Sequence, residues 1–102
     1  MQTYAAKRVE IIIEAPMETR LTDALERAGV SGFTVLPALG GHGRSGRWSR
    51  DGQIGRAGMV AIICLIVPDK LDALLNACFD LVDRHIGVVS VTDTQVIRPS
   101  RF

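Results

Sequence analysis

The stretch MVAIICLIV, Met59 to Val67, is apolar at every position and is bounded by Gly58 and Pro68. It is rich in β-branched residues and too short for a buried helix of ordinary length, so it reads as a strand. It is also far short of the roughly 20 residues that a bilayer span needs. A strand with one face in water alternates apolar and polar residues, whereas this one asks for cover on both faces.

The segments around it supply only part of that cover. RVEIIIEA (Arg8 to Ala15) sets Val9, Ile11 and Ile13 against Glu10, Ile12 and Glu14, which is a strand pattern. Pro16 suits a helix start. The helix that follows carries Met17, Leu21, Ala24, Leu25 and Ala28 on one face and stops at Gly29. GFTVLPAL (Gly32 to Leu39) reads as a second strand, which Pro37 places at a sheet edge or a bulge. Pro68 and Asp69 open a second helix with a buried stripe of Leu71, Leu74, Leu75, Cys78, Leu81 and Val82, and VVSVTDTQVI (Val88 to Ile97) is the last strand. The order βαββαβ predicts an α+β, ferredoxin-like fold, a four-stranded antiparallel sheet with both helices on one face. Two helices cover one face only. The other, which includes Ile12, predicts a homo-oligomer.

Bulk composition narrows the classes. At 102 residues, 47% of them apolar and 23% charged, the chain reads as one globular domain spanning residues 1–102. A formal net charge of +1 gives no global attraction to nucleic acid or membrane, so any positive field is local. Cys64 and Cys78 lie in apolar runs without metal-ligand spacing and read as buried free thiols in a reducing compartment. The N-terminal apolar run is interrupted by Glu10 and Glu14, so no signal peptide is expected and a cytoplasmic location is.

Residues 40–58 hold seven of the ten glycines and read as a long loop, with Arg44, Arg47, Arg50, Arg56 and Trp48 inside it. Gly41 and Gly46 fit a Walker A spacing, but Arg47 and Trp48 stand where the phosphate lysine and the hydroxyl residue belong. Gly41, Gly43 and Gly46 match G-x-G-x-x-G, yet RWSRDGQIGRAG follows, and no helix N-terminus completes an anion site. A nucleic-acid module has the arginines and one stacking residue, but the strands VEIIIEA and MVAIICLIV carry no aromatic. The other reading is a glycine-rich root that offers N–H groups and forked arginines to an anionic small molecule. A merely solvated loop is the bland alternative. No nucleophile–base pair, carboxylate pair or metal set emerges, so an enzyme is not expected.

GVSGFTVLPALGGHGR (Gly29 to Arg44), IVPD (Ile66 to Asp69), Ile86–Gly87 and VIR (Val96 to Arg98) together resemble the PII signalling proteins over about residues 7–101. The first block is similar to that family's second strand and T-loop root. The resemblance implies a trimer with adenine nucleotides in clefts between subunits, and a T-loop that controls a protein partner such as a membrane transporter or an enzyme. By position it implies that Gly32, Phe33 and Thr34 line the adenine and ribose side and that Ile66 offers backbone groups to the adenine. Gly41, Gly43 and Arg44 would frame the phosphates, with Gly87, Val88, Val89 and Ser90 as the B-loop and Arg98 and Arg101 as C-terminal basic groups. His42, Ser45, Arg47, Trp48 and Arg50 form the anion or partner part of the loop.

Departures sharpen the branch. Val88, Val89 and Ser90 replace the usual D-G-K of the B-loop, which removes a close-approach glycine and a phosphate cation. Ser45 stands in place of a magnesium-coordinating glutamine, and the loop has no tyrosine for nucleotidylation. The chain thus looks like the PII-like proteins linked to carboxysomes and bicarbonate transport. That implies ADP or AMP favoured over ATP, bicarbonate as an additional anion, no obligatory cofactor and no metal. A transporter partner would bring the protein to the membrane. The alternatives are a nitrogen-type PII regulator of ammonium transport or nitrogen assimilation, and an arginine/glycine-loop nucleic-acid-binding module.

Overall fold

A computed structural model describes residues 1–43, 46–49, 58–85 and 87–98, with the backbone alone for Trp48 and Ser49. Its elements are β1 (Tyr4–Glu14), α1 (Glu18–Arg27), β2 (Thr34–Pro37), β3 (Gly40–Gly43), β4 (Gly46–Ser49), β5 (Met59–Ile66), α2 (Leu71–Arg84) and β6 (Gly87–Val96). Four strands form one antiparallel sheet in the order β2-β5-β1-β6. This is the predicted ferredoxin-like arrangement, with Pro37 at the end of an edge strand. β1 starts four residues before the alternating pattern does, because Tyr4 to Lys7 pair with Asp93 to Val96 of β6.

Both helices begin the same way. A short tight turn carrying Pro16 or Pro68 follows the strand, and the fixed proline φ leads into the helix. Helix α1 ends in a Schellman motif: the Val30 N–H donates to the Leu25 carbonyl and the Gly29 N–H to that of Glu26. Gly29 has φ +89°, so Gly29→Ala should destabilise by about 1 kcal/mol, read as a lowered urea midpoint at constant slope. The Lys70 ammonium donates to the Gly29 carbonyl at 2.9 Å, which ties the start of α2 to the end of α1 and suits the negative helix terminus.

The core lies between the helices and one sheet face. Val9, Ile11 and Ile13 of β1 and Val60, Ile62, Cys64 and Ile66 of β5 meet Leu21, Leu25, Leu74 and Cys78. Both thiols are free and buried. Burial, with Cys78 nearby, pushes the Cys64 thiol up to about 11, and burial also raises Cys78. The unfolded chain therefore loses its thiol protons first as pH rises, so stability falls between the ordinary thiol pKa and about 11. For Cys64 the loss is on the order of 2 kcal/mol. Urea titrations at pH 8 and pH 10.5 should show it, and Cys64→Ala should flatten the difference. An unchanged pH dependence in that variant would remove Cys64 as the cause.

No helix among the described residues lies over the opposite sheet face. Leu36, Ala61, Ile12 and Val88 form one row across it, and Thr34, Ile63, Glu10 and Ser90 the next. Leu36 is 46% and Val88 55% exposed, and Leu65 is also open. The alternation hidden in MVAIICLIV is thus real: Val60, Ile62, Cys64 and Ile66 turn to the helices, and Met59, Ala61, Ile63 and Leu65 turn to the bare face.

Candidate functional site

Two blocks of the expected site residues fall at the two edges of the sheet. Gly32 and Phe33 lead into β2, and Thr34 opens it. Gly87, Val88, Val89 and Ser90 are the first four residues of β6, at the opposite edge. The register sets Thr34 level with Ser90. Thr34 shares a row with Ile63, Glu10 and Ser90; Val35 with Ile62, Ile11 and Val89; Leu36 with Ala61, Ile12 and Val88. Three strand spacings, roughly 14 Å, separate the halves within one chain. One chain alone therefore does not bring Gly32–Thr34 and Gly87–Ser90 together.

Gly87 sits where β6 presses on β1. A Cβ there would lie 2.6 Å from the Ile12 carbonyl oxygen, so only glycine fits without a shift. Beside it, at the end of α2, the His85 Nδ1 lies 3.6 Å from the Glu14 Oε1. No sequence spacing announces this contact between the end of α2 and the end of β1. Ile66 is buried at the end of β5 and pairs with Lys7. Arg98 is exposed beyond β6, at the far end of that edge from Gly87.

The expected long loop is not without structure. Gly40 to Gly43 pair antiparallel with Ser49 to Gly46, so β3 and β4 form a hairpin with its own two-stranded sheet. Two residues separate the paired ends, and Gly46 takes φ +99°, which a hairpin turn exploits. Four glycines in eight residues conceal this from any propensity reading, because the backbone alone makes the ladder. Gly41 stands opposite Trp48, and His42 opposite Arg47. His42 and Arg47 are exposed. Arg44, Ser45, Arg50 and Arg101 lie outside the described residues, as does Arg56.

Gly32 and Gly43 differ from Gly87. Neither has a left-handed φ, and a Cβ added at either meets nothing within 4 Å. Neither chain conformation nor packing within one subunit asks for glycine there. Both positions leave room for something outside the chain to come close to the backbone. Among the described residues no group of three or more His, Cys, Asp or Glu side chains could hold a metal ion, and no helix is long and apolar enough to cross a membrane.

The sequence model described as "Nitrogen regulatory protein P-II" matches residues 6–101. Among solved structures the chain is similar to CPII, a nitrogen regulatory PII-like protein from Thiomonas intermedia K12. In the form bound to ADP, AMP and bicarbonate the two are 33% identical with a TM-score of 0.88, over 97% of this chain and 94% of that one. With CPII bound to ADP and bicarbonate the values are 34% and 0.84, over 97% and 95%. With CPII bound to ADP, AMP and acetate they are 34% and 0.81, over 100% and 98%. A comparison with curated proteins gave no match.

Proposed function

The chain belongs to the nitrogen regulatory protein P-II family, and from that premise we propose that it is a non-enzymatic regulator that binds ADP or AMP between subunits of a trimer. The observation that carries this reading is that Gly32–Thr34 and Gly87–Ser90 lie at opposite sheet edges, with Thr34 and Ser90 at the two ends of one row. A neighbouring subunit's β6 edge, set beside this subunit's β2 edge, completes a cleft that one chain lacks. The bare apolar face supplies the drive for that assembly.

In that cleft Gly32 lets the ligand approach the backbone, and Ile66 offers its main-chain groups to the base. Gly41, Gly43 and Arg44 frame the phosphates, and Arg98 and Arg101 add positive charge. Val88, Val89 and Ser90 supply no cation where a B-loop lysine would meet the outer phosphates. A charge-assisted contact contributes about 1.5–3 kcal/mol, so its absence favours ADP and AMP over ATP by about tenfold or more. CPII binds bicarbonate in its structures with ADP. Here His42, Ser45, Arg47 and Arg50 are the candidates to hold that anion, and the hairpin with Trp48 is the part that reports to a protein partner. An inorganic-carbon transporter fits a bicarbonate sensor, and a cytoplasmic protein would reach the membrane through it.

Calorimetry tests this directly. AMP and ADP should each bind at least about tenfold more tightly than ATP, and bicarbonate should tighten ADP binding. Tight magnesium–ATP binding that 2-oxoglutarate strengthens would instead make the protein a nitrogen-type regulator. Absence of any adenine nucleotide binding would overturn the nucleotide reading.

A further inference from the structure

The nucleotide reading leaves unexplained why the hairpin that would meet a partner is so poor in side chains. Hairpin pairing fixes which backbone groups it leaves open. Gly43 and Gly46 close the ladder and exchange both hydrogen bonds, and Gly41 and Trp48 do so again two residues on. Gly40 and His42 therefore turn their N–H and C=O groups outward along the free edge of β3. That edge is exposed throughout, and the hairpin is a sheet of its own, with no third strand among the described residues. Three of the four β3 residues are glycine, so no side chain obstructs an approaching backbone. At Gly43 the missing Cβ serves no contact within the chain.

Charge decides the kind of strand that fits. His42 and Arg47 form one cross-strand pair on one face of the hairpin. Neither has a carboxylate partner among the described residues. A residue added opposite His42 lies within about 5 Å of it, and the long Arg47 side chain reaches across from the next strand. Glutamate or aspartate at that place joins a strand ladder to an ion pair. A second copy of this hairpin would bring two His42–Arg47 pairs together and is disfavoured by like charge. A nucleic-acid backbone has no alternating N–H and C=O groups to extend the ladder.

We propose that the free edge of β3, Gly40–Gly43, takes up an extended, carboxylate-bearing segment of a partner protein as a third strand. The proposal rests on the regulatory reading above for the existence of a partner, and it adds the mode and the chemistry of recognition.

The test uses the full chain, with and without ADP, and three synthetic peptides: Thr-Val-Glu-Val-Glu-Val-Thr, the same with lysine for glutamate, and the glutamate peptide N-methylated at alternate residues. Amide exchange is followed residue by residue by NMR. The expected result is at least tenfold slower exchange at His42 and Gly40 with the glutamate peptide. At least tenfold weaker binding is expected for the lysine peptide and for Arg47→Ala, and none for the N-methylated peptide. Equal binding of the N-methylated peptide would reduce the contact to side-chain charge and overturn the proposal. So would unchanged exchange at His42 with all three peptides, or concentration-dependent protection without any peptide, which would make the occupant a second copy. ADP calorimetry on the same samples separates the two failures: ADP binding without peptide protection sinks only the strand-addition proposal, whereas loss of both sinks the regulatory reading.

Discussion

Gly87→Ala should lower stability by about 2 kcal/mol, a fall of roughly 10 °C in Tm for a domain of this size. The new methyl would stand 2.6 Å from the Ile12 carbonyl oxygen and 3.5 Å from the Ile13 Cα and Cγ1. Strand β1 cannot yield, because it is bonded to β5 on one side and β6 on the other. The strain therefore falls on β6, whose first residues must lift off β1. Exchange should accelerate at Gly87 to Ser90 and much less at Asp93 to Val96, where the same two strands meet without a clash. Gly32→Ala and Gly43→Ala serve as controls, since a Cβ meets nothing at either site. They should leave stability unchanged or raise it slightly by restricting the unfolded chain. Equal Tm values for Gly87→Ala and these two would show that β6 relaxes freely and that glycine is not needed there for packing.

The same three glycines show how far a sequence can be read. All are simply turn or loop markers in one dimension. Only the register of β1 against β6 shows that Gly87 is held by a carbonyl 75 residues away, while a Cβ at Gly32 or Gly43 would meet none of the described residues within 4 Å. The strands and helices were legible because their apolar periodicities are local: Leu21, Leu25, Leu74 and Cys78 fall on the predicted faces. The β3–β4 hairpin was not, because glycine pairs leave no alternation to detect. The contact between His85 and Glu14 was hidden for another reason: the end of α2 and the end of β1 meet only once the sheet order is fixed.

The candidate site was legible only as two separate blocks. GFT at Gly32–Thr34 and GVVS at Gly87–Ser90 are far apart in the chain, and nothing in either block states that Thr34 and Ser90 end one row of the same sheet. The fold also puts them at opposite edges, so composition and spacing within one chain cannot complete the site. What the sequence predicts is the need for a neighbour, through the polar residues missing from Met59 to Val67.

That need yields the other large effect. Ile63→Glu should convert the proposed trimer of 11.1 kDa chains into monomers and abolish ADP binding. Ile63 is half-buried on the bare face, between Thr34 and Glu10 in its row, while its neighbours Ile62 and Cys64 turn to the helices. A carboxylate at this place remains solvated in the single chain but would be desolvated, beside Glu10, against another subunit. The helix-side core loses no contact, so far-UV circular dichroism should keep the native spectrum. Sedimentation equilibrium then reads the assembly and calorimetry reads the ligand. The two should fail together, because in the proposed cleft the halves at the β2 and β6 edges meet only across a subunit boundary. Ile12→Glu, one row away between Ala61 and Val88, should act alike. A folded Ile63→Glu monomer that still binds ADP would place the nucleotide within one chain and end the cleft reading. A variant that stays trimeric would show that this face is not the interface.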